Sequence, residues 1–452
     1  MFDRLSRRRL LLDAGAGFGW LAFRSLAQGA AHFAPRAKRV IQLFCAGGMS
    51  HVDTFDFKPE LAKRDGKPFE MPTFFGQGGN LFGCPWEFRQ RGQSGLWVSG
   101  LLPHLAGCAD KLTVVRTMNA RSANHMPAIA QMNTGFILTG FPSMGAWVLY
   151  GLGSDTSNLP AYVVLPDHRG VPWGGSVHWT NSFLPASVQG TAFRATGDPV
   201  PDLSNPEGLG GNVRTAGLEW LSQMNSLYAE SNPGDSSLEA RLKSYELAAR
   251  MQLTVPEITD LNGETEATRR LYGIDRKETA EFGKRCLLAR RLAEKGVRFI
   301  QAYCGGSGQS WDAHQDIENN HPKMAIEYDQ PAAALVRDLD ARGMLDDTLV
   351  MGVTEFGRTP VSQGTGKTRG RDHHPDCFSI WMAGAGLKPG FAWGESDEVG
   401  RKPAVNPVSV YDLHATALRL LGLDHERLSY YHNGTRRRLT DVHGHVVDQL
   451  FA

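Results

Sequence analysis

No two cysteines of this sequence have the CxxC spacing of a zinc ribbon or a redox motif: Cys45, Cys84, Cys108, Cys286, Cys304 and Cys377 stand singly. That excludes a disulfide framework and predicts buried free thiols, with Cys45 and Cys304 each ending a predicted strand. Charge of one sign is lacking too. The formal net charge is +1, without the basic excess of an electrostatic nucleic-acid binder. Neither GxGxxG nor a Walker pattern occurs, and no flavin, haem or iron–sulfur motif supports a redox enzyme. Past the N-terminus no apolar run approaches the roughly 20 residues of a membrane-spanning helix. Internal repeats and low-complexity linkers are absent as well.

What is present is a chain of 452 residues, enough for one large α/β domain or two smaller ones. It opens on Ser6-Arg7-Arg8-Arg9-Leu10-Leu11-Leu12 and a Gly/Ala/Leu/Phe segment to about Ala31, broken by Asp13 and Arg24. Paired arginines before a weakly apolar core resemble a twin-arginine export signal. Residues 1–31 are therefore expected to direct export to the periplasm or beyond, and residues 38–452 to form one domain. Strands are predicted at Val40–Phe44, Leu112–Val115, Ala161–Leu165, Val297–Tyr303, Leu349–Val353 and Phe378–Met382, with residues 57–100 a long surface excursion. Helices are predicted over Met126–Met132, Phe282–Glu294 and Tyr411–Leu421. Two further helical faces are Leu238, Leu242, Tyr245 and Ala249, and Ala332, Leu335, Val336 and Leu339. His414 is read as packing or capping.

The chemistry collects after the strands. One ends in Cys45-Ala46-Gly47-Gly48-Met49-Ser50-His51-Val52-Asp53, a second leads to Ser122, Asn124 and His125, and a third to Asp312 and His314. The fourth is Leu349–Val353. It runs into Thr354-Glu355-Phe356-Gly357-Arg358-Thr359, then through a Gly/Ser/Thr-rich loop to Arg371-Asp372-His373-His374. Ligands in open α/β sheets bind beyond the carboxyl ends of the strands. Carboxylates clustered there would repel one another without a cation. Oxygen and imidazole donors suit divalent metals such as zinc or manganese, and a pair of ions could clamp a tetrahedral anionic ester. Arg116, Arg121, Arg358 and Arg371 are candidate clamps for that anion.

Together, Gly47–Asp56, Asn124-His125, Ser143-Met144-Gly145-Ala146-Trp147, Trp311-Asp312-Ala313-His314, Thr354–Thr359 and Gly370–His373 resemble the sulfatase-like DUF1501 family of the alkaline phosphatase superfamily. The resemblance implies an α/β fold, a three-layer α/β/α sandwich with a mostly parallel central sheet. It implies metal ligands at Asp53, Asp312, His314, Glu355, Asp372 and His373, with His374 ranked below His373. Ser122, Asn124, His125 and Arg358 would then form the catalytic set around one or two divalent ions (zinc, manganese or calcium). The implied substrate is a sulfate or phosphate ester, sulfated glycans among them. Two departures bear on mechanism. No Cys/Ser-x-Pro-x-Arg stretch is present, which excludes formylglycine chemistry. Asn124 stands directly before His125, where related chains can carry serine, leaving Ser122 or a metal-bound hydroxide to attack. The alternative is a secreted binding protein that keeps the fold and the metal site without turnover.

Overall fold

The apolar runs do form strands. The computed structural model describes residues 31–452 apart from 75, 78, 198, 201–210, 232–246, 249, 253 and 365–367. The central sheet is built from β1 (Arg39–Cys45), β2 (Leu112–Asn119), β3 (Tyr162–Leu165), β4 (Phe299–Cys304), β5 (Thr348–Val353), β8 (Phe378–Ala383) and β9 (Phe391–Trp393). A separate hairpin, β6 (Gly357–Gln363) and β7 (Gly370–His374), lies between β5 and β8 in the chain. Two short strands, Thr191–Ala192 and Val408–Ser409, complete a nine-stranded sheet of order β9-β2-β8-β5-β1-β4-β3 with Thr191–Ala192 next to β3.

β1 pairs in parallel with β5 on one side and β4 on the other, so Val40 faces both Leu349 and Phe299. β8 is predicted correctly as a strand, but it runs antiparallel to β5 and β2. Every residue of β4 and β5 is buried, which explains why these strands read as mainly apolar runs rather than alternating ones.

Successive residues of a strand point to opposite faces, and the two faces carry separate cores. Ile41, Leu43, Cys45, Ile300 and Val350 pack with Phe282 and Leu287 of α3 (Ala280–Glu294) and Leu335 and Leu339 of α4 (Ile317–Ala341). Val40, Phe44, Phe299, Tyr303 and Leu349 pack with Ile129 of α1 (His125–Thr134), Trp147 of α2 (Met144–Leu152) and Leu413 of α5 (Val410–Leu420). This is the three-layer α/β/α sandwich. Each fully buried Leu, Ile or Phe adds about 1.5–3 kcal/mol, so both faces grip the sheet and the strand ends are fixed points for the loops beyond them. His414 packs as expected, its Nε2 2.9 Å from the Met132 carbonyl.

Two loop readings change. Within 57–100 the chain returns to the core: Phe88–Arg91 pairs with Leu96–Ser99, and Leu96 and Val98 are buried. The apolar alternation there is too short to register as periodicity. The Gly/Ser/Thr-rich stretch after β5 is the β6–β7 hairpin, in which Arg358 lies opposite His373. Its Pro360 falls where the pairing slips between Arg358 and Ser362, so the ladder loses no N–H to the proline.

Before β1 the chain is tied to the far edge of the sheet, through Phe33 N–H to the Gly422 carbonyl (3.0 Å) and Ala37 N–H to that of Leu420 (2.8 Å). The export segment and the helical positions Leu238, Leu242, Tyr245 and Ala249 lie outside the described residues. No helix among the described residues is long and apolar enough to cross a membrane.

Candidate metal centre

The parallel strands β1, β4 and β5 bring their carboxyl ends to one edge, where backbone contacts lace the following loops together. Gly47 N–H donates to Glu355 Oε1 (2.8 Å) and Met49 N–H to Thr354 Oγ1 (3.1 Å), while that hydroxyl donates to the Cys45 carbonyl (2.8 Å). Gly47, with φ +111°, has to be glycine: a Cβ there would lie 2.5 Å from the Asp312 nitrogen. Arg358 ties the same loops from beneath. It donates to the carbonyls of Gly47, Gly48 (3.0 Å) and Arg371 (3.1 Å), and to Asp312 Oδ1 (2.6 Å).

Asp312 is the hub. His314 Nε2 lies 3.0 Å and His373 Nε2 3.4 Å from its Oδ1, and His125 Nε2 lies 3.2 Å from its Oδ2. Burial opposes ionisation of Asp312, but the three imidazoles and Arg358 hold its carboxyl far below the usual range. The outward nitrogens have their own partners. His373 Nδ1 lies 2.6 Å from the Ala123 carbonyl and His314 Nδ1 2.6 Å from Gln363 Oε1. His125 Nδ1 lies 2.7 Å from Glu355 Oε1.

Burial pushes His373 down to about 4, so it is neutral near pH 7. With Nδ1–H donated to the Ala123 carbonyl, its Nε2 lone pair points at His314 Nε2, 2.9 Å away. Two imidazole nitrogens and a carboxylate oxygen converge here closely enough to share one cation. A proton satisfies one pair; a divalent ion satisfies all three. Ligand nitrogens about 2.0–2.1 Å from a tetrahedral ion lie about 3.4 Å apart, close to the spacing found. An oxygen acceptor on the far nitrogen of each histidine is the usual support of metal-bound imidazole. The donor set therefore fits a metal ion.

Two groups share His373: His125 with Asp312, and His314 with Asp372, with all ligand atoms of each group within 4.8 Å of one another. A third group, Asp167, His168 and Glu327, is already neutralised, because Arg169 and Arg285 bridge its carboxylates.

The remaining expected residues fall around this centre. Glu355 is fully buried behind His125 and orients that ring. Burial pulls the His125 imidazole down, but Asp312 and Glu355 outweigh it and raise its pKa. Asp53 faces Arg371, which grips both its oxygens at 2.7 and 3.0 Å. His374 turns away to the Arg401 carbonyl. Ser122 Oγ accepts from the Asn124 N–H (3.1 Å), and Asn124, exposed, begins α1 without a side-chain cap bond.

Arg358 and Arg371 differ from the expected anion clamps. Both are fully buried, and each bonds protein oxygens in several directions, because a buried guanidinium has to satisfy its donors. Arg116 and Arg121 bond the Gly394 carbonyl and the Tyr411 hydroxyl. Sequence reasoning missed Gln363 and Trp173. The signal available for Trp173 was an aromatic residue in a Pro/Gly-rich loop.

The DUF1501 profile, described as "Protein of unknown function (DUF1501)", matches residues 37–451. The chain belongs to the DUF1501 family. No curated protein matches the sequence. Among solved structures, this DUF1501 chain is similar to the PsFucS1 sulfatase from Pseudoalteromonas sp. at 13% identity and TM-score 0.36, covering 92% of this chain and 72% of the other. It is similar to Ps i-CgsB, solved with k-i-k-neocarrahexaose, at 12% identity and TM-score 0.37, covering 86% and 72%. Alkaline phosphatase from the Antarctic bacterium TAB5 gives 10% identity and TM-score 0.31, covering 80% and 96%. Likenesses this distant assign no activity by themselves.

Proposed function

We propose that this DUF1501 protein is an exported, metal-dependent hydrolase of sulfate or phosphate esters. The observation that carries the proposal is the convergence of His314 Nε2, His373 Nε2 and Asp312 Oδ1 at 2.9–3.4 Å. Imidazole nitrogen favours zinc or manganese over calcium, which prefers all-oxygen sites. Asp312, His314 and His373 would hold the first ion, with His125 and Asp372 completing the two overlapping groups. A divalent ion held there would supply Lewis acidity, polarising an ester oxygen and lowering the pKa of water from about 15.7 to about 7.

The chain's own residues supply the rest. Arg358 keeps Asp312 ionised and fixed. Glu355 orients His125. α1 starts at His125 without a side-chain cap, so its first N–H groups and positive dipole end are available to an anionic oxygen. The exposed Asn124 amide stands beside them. The Ser122 hydroxyl is bonded to the Asn124 backbone, which favours attack by water over attack by serine.

The test is hydrolysis of 4-nitrophenyl phosphate and 4-nitrophenyl sulfate by protein loaded with zinc or manganese. We expect turnover that falls with bound metal in His373→Ala and survives in Ser122→Ala. A metal-loaded protein inert toward a broad ester panel would replace this reading with that of a binding protein. For export, replacing Arg7 and Arg8 with lysine should retain the protein in the cytoplasm, and unchanged export would remove the twin-arginine assignment.

A further inference from the structure

Buried charges fasten the loop that follows β3. Arg169 grips both oxygens of Asp167 at 2.8 and 2.9 Å, Arg285 adds a contact at 3.2 Å, and Gly305 N–H donates to the same carboxylate at 2.8 Å. Glu327 of α4 closes the network, 3.0 Å from Arg169 and 3.4 Å from Arg285. The loop is tied again at Val171, whose carbonyl accepts from Ser307 N–H (3.3 Å), and at Trp173, whose carbonyl lies 2.5 Å from His178 Nε2. Taking several charges out of water is a poor source of stability but a firm way to hold one conformation.

The conformation held here delivers a ring. Trp173 stacks on the His125 imidazole with centroids 4.1 Å apart and planes 12° from parallel. Met126, the next residue of α1, is 41% exposed on the same side, and the Gly174 backbone runs against it. Elsewhere round the centre the Asp312 and His314 side chains keep 25% and 24% of their surface in solvent, and the exposed Phe74 stacks on His373 with centroids 5.3 Å apart. Solvent-reaching polar groups beside a half-buried aromatic ring suit a molecule with the same division.

We infer that Trp173 is a specificity-determining residue: it walls a subsite for the leaving group and selects esters whose leaving group presents a flat apolar face. This rests on the ester-hydrolase reading above. An aromatic ring and the C–H face of a pyranose share that chemistry.

The metal-loaded full chain and its Trp173→Ala and Trp173→Phe variants are compared on 4-nitrophenyl, glucose-6-yl and methyl esters of whichever acid is turned over, with zinc affinity measured in parallel. We expect Trp173→Ala to raise KM for a flat-faced ester by about five-fold, to leave the methyl ester and zinc affinity unchanged, and Trp173→Phe to recover most of the loss. Loss on the aryl ester alone names an aryl substrate, and loss on the sugar ester alone names a glycan. Equal losses on all three esters, or none, overturn the inference while leaving the hydrolase reading intact. If nothing is turned over, that reading falls, and calorimetric binding of the same three esters decides the inference: selective loss in Trp173→Ala supports it, and no selectivity overturns it.

Discussion

Two carboxylates, the buried Asp53 and the half-buried Asp312, follow strands of the same sheet and sit in different electrical settings. Asp53 is closed off. Arg371 takes both oxygens, Ser50 Oγ donates to one at 2.6 Å, and Phe82 lies under the guanidinium at 4.4 Å. Asp312 also has an arginine, but its remaining contacts are imidazoles that face one another. A guanidinium has five donors and no lone pair, so it completes a carboxylate and ends the matter. A neutral imidazole brings a lone pair of its own, which can share a cation with the carboxylate. Acidic residues after strands are therefore not equivalent: the group facing the carboxylate separates a structural tie from a place for a cation.

That contrast can be broken at its structural end first. Arg371→Met should strand Asp53 as an uncompensated buried charge and cost about 3–5 kcal/mol in chemical denaturation, with most of it regained in the Asp53→Asn/Arg371→Met double variant. At the open end, His373→Ala should weaken zinc binding in calorimetry by more than about 100-fold, yet change the stability of metal-free protein by less than about 2 kcal/mol. The arginine-closed Asp167 gives a pH test. Against the cost of burial, Arg169 and Arg285 hold its carboxyl at about 2, below the unfolded value near 3.9. A depressed carboxylate stabilises the fold above its unfolded pKa and loses that contribution as pH falls. About 2 kcal/mol should disappear between about pH 4 and 2, and this part of the acid dependence should be missing from Asp167→Asn. The smallest effect sharpens the comparison. Glu355 touches His125 rather than the convergent nitrogens, so Glu355→Gln should reduce zinc affinity about ten-fold, clearly less than His373→Ala.

The sheet was legible because its strands are buried on both faces, so that Leu349–Val353 reads as an unbroken apolar run and Val297–Tyr303 as a mainly apolar one. The convergence of Asp312, His314 and His373 followed from the parallel order of β1, β4 and β5. The β6–β7 hairpin was not legible, because glycine and threonine there signal a turn while the pairing is set by Arg358 meeting His373 across the strands. Asp53 shows a second limit. Its composition and position match those of Asp312, and only the three-dimensional approach of Arg371, 318 positions away, separates their roles. Gln363, at the end of β6, and Trp173, in the loop after β3, carry no local periodicity, so their approach to an imidazole nitrogen and ring depends on packing that a linear reading does not contain.

The anchoring of Phe33 and Ala37 to Gly422 and Leu420 fixes where the chain enters the sheet. β1 spans seven residues, about 23 Å at the usual rise per residue, so the entry point and the histidine cluster are held at opposite ends of one rigid strand. The described chain thus begins on the side of the sheet away from the histidine cluster. The export segment and the metal centre proposed above would not compete for space. The same separation makes the N-terminal side the place for an affinity tag or a surface tether that leaves the histidine cluster uncovered.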